Sequence, residues 1–333
     1  MNSITIAVPV YNVESFIERC AISLFEQTYE SIDYLFIDDC TPDDSIGVLK
    51  RTINIYPHRK DHVRIIRHTH NRGLAAARNT AVDNCQTEFL MHVDSDDWLE
   101  KDAVEILVNE QQKGNYDIVT GNAIIHHSDR KEELRHIKHI DKESLILECI
   151  KPSISHVIWG RLIRRVLYID NRVAALEGIN IGEDHQVIPQ LFYYAKSFSF
   201  IDEFIYNYDC TNQNSYMKQT SQYEKFGLKV TQDLKSFEIL RCFFEKCTPL
   251  MYKVCVEKEM NKYIHRVTPY LAQVGQKEVF NLSWSYFNES IGHNKRNILR
   301  LPQLSYLIRR NYTICRYFFR IKGILKLCRL LIV

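Results

Sequence analysis

Short apolar runs alternate with stretches of helical periodicity over the first 125 residues, which predicts a parallel sheet covered by crossover helices. Residues 4–8 read as the first strand. Val13, Phe16, Ile17, Cys20 and Leu24 then recur at helical spacing, with Asn12 placed as the N-cap. Residues 34–37 read as a second strand ending in Asp38 and Asp39. Thr41-Pro42-Asp43-Asp44 opens the next helix, with Thr41 as cap, Pro42 in the first turn where its missing N–H costs nothing, and Asp44 near the positive end of the dipole. Residues 63–66 are a third strand, 74–85 an alanine-rich helix and 89–93 a fourth strand that runs into Asp94-Ser95-Asp96-Asp97. A helix from about Leu99 follows and stops at Gly114, a suitable C-cap.

In each unit the chemically capable side chains sit just past the carboxyl end of a strand, where open parallel sheets bind ligands. Residues 116–208 mix strands and helices less regularly, and the chain from about 221 onward reads as mainly helical, with no internal repeat or low-complexity linker. The expected organisation is an α/β ligand-binding and catalytic domain over 1–220 and a helical C-terminal region over 221–333.

The formal net charge of +2 hides an asymmetry: residues 290–333 hold ten Lys or Arg and no Asp or Glu, which leaves the preceding chain at −8. Residues 301–333 mix these bases with Leu, Ile, Phe and Tyr, and no uncharged run there approaches the ~18 residues needed to span a bilayer. Tyr317, Phe318 and Phe319, flanked by Arg316, Arg320 and Lys322, suit an anionic headgroup boundary. The alternative is a helix packed on the protein's own acidic body, and no nucleic-acid-binding module accompanies the charge. The ten cysteines are scattered singly with no CxxC pair, as reduced thiols used as small hydrophobes would be. With no basic leader before the apolar run at Ile4, a cytoplasmic protein is expected, peripheral on the inner face of the membrane if the tail binds lipid.

Asp94-Ser95-Asp96-Asp97 packs three carboxylates into four residues, and their repulsion is costly unless a cation or hydrogen-bond donors offset it. Hard oxygen ligands suit Mg²⁺ or Mn²⁺, held by one or two carboxylates and completed by substrate phosphates. The other reading of the motif is an acidic turn capping a helix at Trp98.

The opening VPVYNVESFIERCAISLFEQTYESIDYLFIDDCTPDDS, the later NRGLAAARNTAV and FLMHVDSDDWL together resemble family-2 glycosyltransferases of the GT-A fold, over roughly residues 1–110. The likeness continues more faintly to Tyr208, where INIGEDHQVIPQLFYYA looks like that family's Glu-Asp element. The resemblance implies a Rossmann-like, mostly parallel central sheet with helices on both faces. It also implies inverting transfer of a hexose or N-acetylhexosamine from a nucleotide-diphosphate sugar to a glycan hydroxyl. Carried over by position, Pro9, Tyr11 and Glu14 line the nucleotide pocket, and Asp39 accepts from N3 of uracil, favouring a UDP-sugar donor. Asn71 and Arg78 lie near the base and the diphosphate, and Ser95 belongs to the same donor-binding set. Asp96 ligates the metal as part of a DXD motif, and Asp94 contacts ribose, or the metal through water. Asp184 is the expected catalytic base with Glu183 beside it, where plain helix capping by two acidic residues is the other reading. For Arg78 the other reading is a solvated helix face.

Two positions depart from the family pattern. Cys40 replaces a small residue after Asp39, and Trp159-Gly160-Arg161 stands where Trp-Asn-Lys is common, on the side expected to meet the acceptor. His126, His127, His136 and His139 have charged, loop-like flanks that suit zinc poorly. Tyr206, Tyr208, Asn212 and Ser215 are candidates for a closing loop, with packing the alternative for the tyrosines. A lipid-linked glycan at an inner membrane surface, as in surface polysaccharide assembly, is the acceptor the tail suggests. Two rival functions remain: a catalytically silent nucleotide- or glycan-binding protein of the same fold, and a nucleotidyltransferase. The second needs a glycine-rich basic loop after the first strand that Pro9-Val10-Tyr11-Asn12 does not offer.

Overall fold

The computed structural model describes residues 3–138, 141–151, 153–212, 223–291 and 312–313. The chain divides into two compact units, residues 1–214 and 215–333. The first is built on one nine-stranded sheet. Strands β1 (Ile4–Val10), β2 (Ile32–Asp38), β3 (Val63–Arg67) and β4 (Phe89–His92) run parallel in the order β3-β2-β1-β4. Beyond β4 the sheet becomes mixed. β8 (Arg161–Arg164) pairs antiparallel with β4 and with β6 (Ile118–His126), β6 runs parallel to β9 (Phe198–Asp209), and the two-residue β5 (Trp98–Leu99) closes the edge antiparallel to β9. The short β7 (Lys131–Leu134) forms a hairpin with β6.

Side-chain alternation along a strand divides its residues between the two faces of the sheet. Ile4, Ile6, Val8 and Val10 join α1 (Ile17–Phe25), α2 (Ser45–Ile55) and α4 (Ala103–Gly114) in one apolar core, while α3 (Leu74–Asn84) packs against β1 and β2. Each large aliphatic or aromatic side chain in that core contributes about 1.5–3 kcal/mol. The irregular middle of the unit supplies α5 (Lys142–Ile150), α6 (Val166–Ile169) and α7 (Glu183–Tyr194).

Several helix boundaries differ from the pattern-based expectation. Asn12 does not cap α1: it sits in the left-handed region at φ 56°, its N–H donates to Thr41 Oγ1, and a turn from Val13 to Phe16 delays the helix to Ile17. Thr41 does not cap α2 either, because its hydroxyl is engaged with Asn12 and Asp43 and the helix opens at Ser45. The helix expected from Leu99 begins at Ala103, since Leu99 is drawn into the sheet opposite Tyr206. Its left-handed C-cap is Asn115 rather than Gly114.

In the second unit α8 (Tyr223–Glu245), α9 (Met251–Val274) and α10 (Lys277–Ile291) pack on one another, which agrees with the expected helical C-terminal region. Val230, Leu234, Phe237, Val256, Ile264, Leu271 and Phe280 are buried, and the Tyr263 hydroxyl donates to Asp233. Apart from residues 312–313, the basic tail 301–333 lies outside the described residues. Among the described residues no helix is long and apolar enough to cross a membrane.

Candidate active site

The strand tips of β2 and β4 carry the acidic residues. Asp39 follows β2 directly, its N–H bonded to the carbonyl of Val10 at the end of β1. Its Oδ1 lies 2.7 Å from His68 Nδ1 and accepts the Arg72 N–H at 2.8 Å, while Oδ2 accepts the Gly73 N–H at 2.7 Å. His68 is held from behind by Thr80, with Nε2 2.9 Å from Oγ1. One carboxylate thus organises the whole connection from β3 to α3. Cys40 takes a left-handed φ of 57° and turns the chain away from it.

The turn after β4 gives its three carboxylates different surroundings. Asp97 is fully buried, with Oδ1 accepting the Asp209 N–H at 2.7 Å and Oδ2 accepting the Tyr206 hydroxyl at 2.7 Å. The same hydroxyl accepts the Asp94 N–H at 3.1 Å. Burial, and then the charges of Asp96 and Asp94, push the Asp97 carboxyl well up. Asp96 accepts from Asn212 Nδ2 at 2.8 Å, and burial together with Asp94 raises it to about 6. Asp94 accepts from Arg78 at 2.8 Å. Because β5 follows the turn, the alternative of a helix capped at Trp98 does not hold.

Arg78 is the hub. It lies on the second turn of α3, only 5% exposed, so the solvated-face alternative fails. One guanidinium nitrogen contacts Asp94 and another lies 3.3 Å from Glu183, while Nη1 is buried without a hydrogen-bond partner among the described residues. Burial alone would weaken the guanidinium's hold on its proton, but Asp94, Glu183 and Asp184 reverse that effect. Glu183 and Asp184 are the first two residues of α7, delivered by Gly182 at φ 79°. Both carboxyls are raised by burial. For Glu183 the charge of Asp184 adds to the rise, and for both Arg78 opposes it. Asp184 also senses Asp94 and accepts its neighbour's N–H, from His185, at 2.7 Å. Residues 78, 94, 96, 183 and 184 therefore meet through a continuous set of contacts and fields, while residues 39, 72 and 73 form a second set at the start of the same helix.

Other expected residues lie at the margin. Pro9 is half-buried within β1 opposite Ile37, Tyr11 and Asn71 are exposed, and Ser95 is buried. Glu14 braces two loops, accepting the Asp44 N–H at 3.1 Å while its own N–H donates to Asp43. Arg161 cannot meet an acceptor: it is fully buried, donating to Val157 O, Ser155 O and Thr120 Oγ1, and burial brings it down to about 10. Trp159 stacks on Tyr206 and Tyr208, with ring centres 4.6 and 5.7 Å away, so Tyr206 is a packing residue, whereas Asn212 reaches Asp96. His126 pairs with Asn207 and packs on Trp98, His127 lies near Glu132, and His136 is buried. His139 and Ser215 lie outside the described residues.

Sequence reasoning missed His68, whose partner stands 29 residues away, and Arg19, whose guanidinium donates to Asp96 O and Asp209 across the back of the acidic turn. Only the tertiary structure pairs them.

Asp94 and Asp96 present hard oxygen donors, and the burial that raises the Asp96 carboxyl, with the charge of Asp94 adding to it, is a penalty on its ionised form that a cation would relieve. Among the described residues no three His, Cys, Asp or Glu side chains converge to hold an ion by themselves. The residues present fit a divalent cation that shares its coordination with a bound phosphate group.

The model of the family described as Glycosyl transferase family 2 matches residues 5–172. Glycosyltransferase GlyA of Streptococcus pneumoniae is 37% identical over 121 residues, 36% of this chain and 17% of that protein. The uncharacterized glycosyltransferase EpsJ of Bacillus subtilis is 29% identical over 212 residues, 62% of this chain and 60% of that protein. The chain thus spans less than two thirds of either relative's length. Among solved structures, S. aureus TarS 1–349 in complex with UDP-GlcNAc aligns over 87% of this chain and 88% of its own, with TM-score 0.55 and 17% identity. The mannosyltransferase PcManGT of Pyrobaculum calidifontis, in complex with GDP-Man and Mn²⁺, aligns over 94% and 85% with TM-score 0.56 and 14% identity. Those two share the fold.

Proposed function

Because this chain belongs to glycosyltransferase family 2, whose model covers half its length, we propose that it inverts an anomeric centre while moving a sugar from a UDP-sugar to a glycan hydroxyl. The observation that carries this reading is Arg78, buried between Asp94 and Glu183 with Asp184 in its field. It ties the strand tip suited to a diphosphate to the carboxylates suited to a base.

In the proposed reaction the acceptor hydroxyl attacks the anomeric carbon from the face opposite the diphosphate, its proton passes to Asp184, and the bond from that carbon to the diphosphate oxygen breaks to release UDP. A raised Asp184 is a better proton acceptor than an ordinary aspartate while still ionised near neutral pH. Arg78 and the α3 amide end oppose the charge gathering on the diphosphate. A bound Mn²⁺ or Mg²⁺, held by Asp96 and Asp94, would neutralise that same charge.

Asp39 supports a base with an N–H at its recognition edge. A carboxylate has about four acceptor positions and three here are taken by His68, Arg72 and Gly73, so the last can receive uracil N3–H but cannot pair with the bare N3 of cytosine. TarS, crystallised with UDP-GlcNAc, agrees with that choice, while PcManGT with GDP-Man makes GDP-sugars the control donor. The basic, aromatic sequence 301–333 supports an acceptor at an anionic membrane surface, on the cytoplasmic side. Deleting it should release the protein from anionic liposomes, and undiminished binding would count against a surface role.

The decisive test is a panel of UDP-, GDP- and CDP-sugars with Mn²⁺ or Mg²⁺, read as UDP release by wild type and Asp184→Asn. The expected result is release from a UDP-sugar by wild type, a loss of roughly 10²–10⁴-fold in the variant, and unchanged UDP affinity. Tight UDP binding by a wild type that releases none would favour the silent binding protein instead.

A further inference from the structure

The segment 172–182, between α6 and the two carboxylates of α7, is pinned onto α3 at several points. Asn79 and Ala175 bond reciprocally, with Nδ2 donating to the Ala175 carbonyl at 2.8 Å and Oδ1 accepting the Ala175 N–H at 3.1 Å. Arg72 pairs with Glu177 at 2.5 Å. Asn180 Oδ1 accepts the Ala75 N–H at 3.1 Å, capping the first turn of a helix that has no side-chain cap of its own. The fit is close on the other side too. Gly73, at φ 89°, sits so near the Asn180 amide that a Cβ there would fall 2.3 Å from its Nδ2.

Gly73 and Arg72 are the residues whose N–H groups hold Asp39, and Asn180 stands four residues before Asp184. Beside the Arg72–Glu177 pair, Asn180 is therefore a direct physical link between the connection organised by Asp39 and the segment that presents Glu183 and Asp184 to Arg78. We infer that Asn180 is a positioning residue: it fixes the base-bearing start of α7 against α3, so that order imposed on the Asp39 connection by a bound nucleotide is passed to Asp184. This deepens the proposed function and rests on it for the meaning of the base, but the mechanical link stands on geometry alone. A loosened link leaves the nucleotide contacts in place and misplaces the base, and an ångström-scale misplacement can cost up to about 10²-fold in rate.

Two measurements on the full-length chain test it. Hydrogen exchange without ligand should show faster exchange at residues 74–76 and also at 183–187 in Asn180→Ala, with β1 and β4 unchanged and with recovery in Asn180→Asp, which keeps an acceptor for the Ala75 N–H. No change at 183–187, or a uniform rise that includes β1 and β4, overturns the inference. Steady-state kinetics with the donor that wild type turns over should show kcat reduced about tenfold or more in Asn180→Ala, donor KM within about twofold, and most of kcat regained in Asn180→Asp. A wild-type kcat in Asn180→Ala, or a change confined to KM, overturns it as well. If wild type turns over no nucleotide sugar the proposed function fails, and the exchange result still decides the link.

Discussion

At Asp39, three protein donors already fill most of the carboxylate's acceptor capacity, so the residue both shapes the loop and leaves a single directional vacancy. Asp39→Asn replaces one oxygen with an N–H donor that must face either Gly73 or the pair from His68 and Arg72. The expected outcome is UDP affinity weakened about tenfold or more, since one unmade buried hydrogen bond costs about 1–3 kcal/mol. Calorimetric titration with UDP checks this, and an unchanged affinity would remove Asp39 from base recognition. Arg78→Lys should lower donor turnover strongly while keeping the positive charge, because an ammonium cannot span Asp94 and Glu183 as the planar guanidinium does. Equal turnover in the lysine variant would reduce Arg78 to a point charge. The acidic residues of the site were readable in the chain because they follow strands in runs such as DSDD, where repulsion itself is a signal. His68, Arg19 and Asn180 were not, since each acquires meaning only from a partner 29 to 190 residues away.

Among the elements, α3 shows how a helix can begin without a cap of its own. Gly73 supplies a left-handed φ, its N–H goes to Asp39, and the Ala75 amide goes to Asn180. Gly73→Ala meets both a strained backbone and the Asn180 side chain, so a loss of about 2 kcal/mol or more is expected by urea denaturation. Undiminished stability would show that the loop can shift away. The same physics explains which boundaries the pattern located. Strands β1 to β4 were legible as short apolar runs and helix α3 as an alanine-rich stretch after Gly73, with Asp39 and Asp94 marking the ends of β2 and β4. The starts of α1, α2 and α4 were displaced because Asn12, Thr41 and Leu99 are claimed by neighbours distant in sequence, a loop crosslink in the first two and the edge of the sheet in the third. Arg161 is a related case: a basic residue placed by likeness on an acceptor surface turns out to hold a buried loop by its carbonyls.

For the molecule as a whole, the first unit concentrates carboxylates whose affinity for protons is raised by burial: Asp96, Asp97, Glu183 and Asp184. A carboxyl raised in the folded state binds more protons there than in the unfolded chain, so stability falls as pH climbs through the interval between the two values. Carboxyls held below their ordinary values, such as Asp43 and Asp209, act in the opposite sense at lower pH, and the buried His92 and His136, whose protonation burial disfavours, oppose the effect in the same interval but are outnumbered by the four raised carboxyls. The metal-free protein should therefore melt at a higher temperature at about pH 5.5 than at about pH 7.5. Mn²⁺ with UDP should narrow the gap, because a cation at Asp94 and Asp96 stabilises their ionised forms. Melting curves at the two pH values, with and without these additions, check it. Equal melting temperatures would mean that compensating charges elsewhere cancel the strain.

Asp97 gives that strain a use. Having no surface of its own, it cannot trade partners with the solvent, and it rivets the acidic turn to Asp209 and Tyr206 from beneath. A seat fastened in this way takes its outline from the fold beneath it, with Asp94 and Asp96 carried on a turn that Asp97 secures.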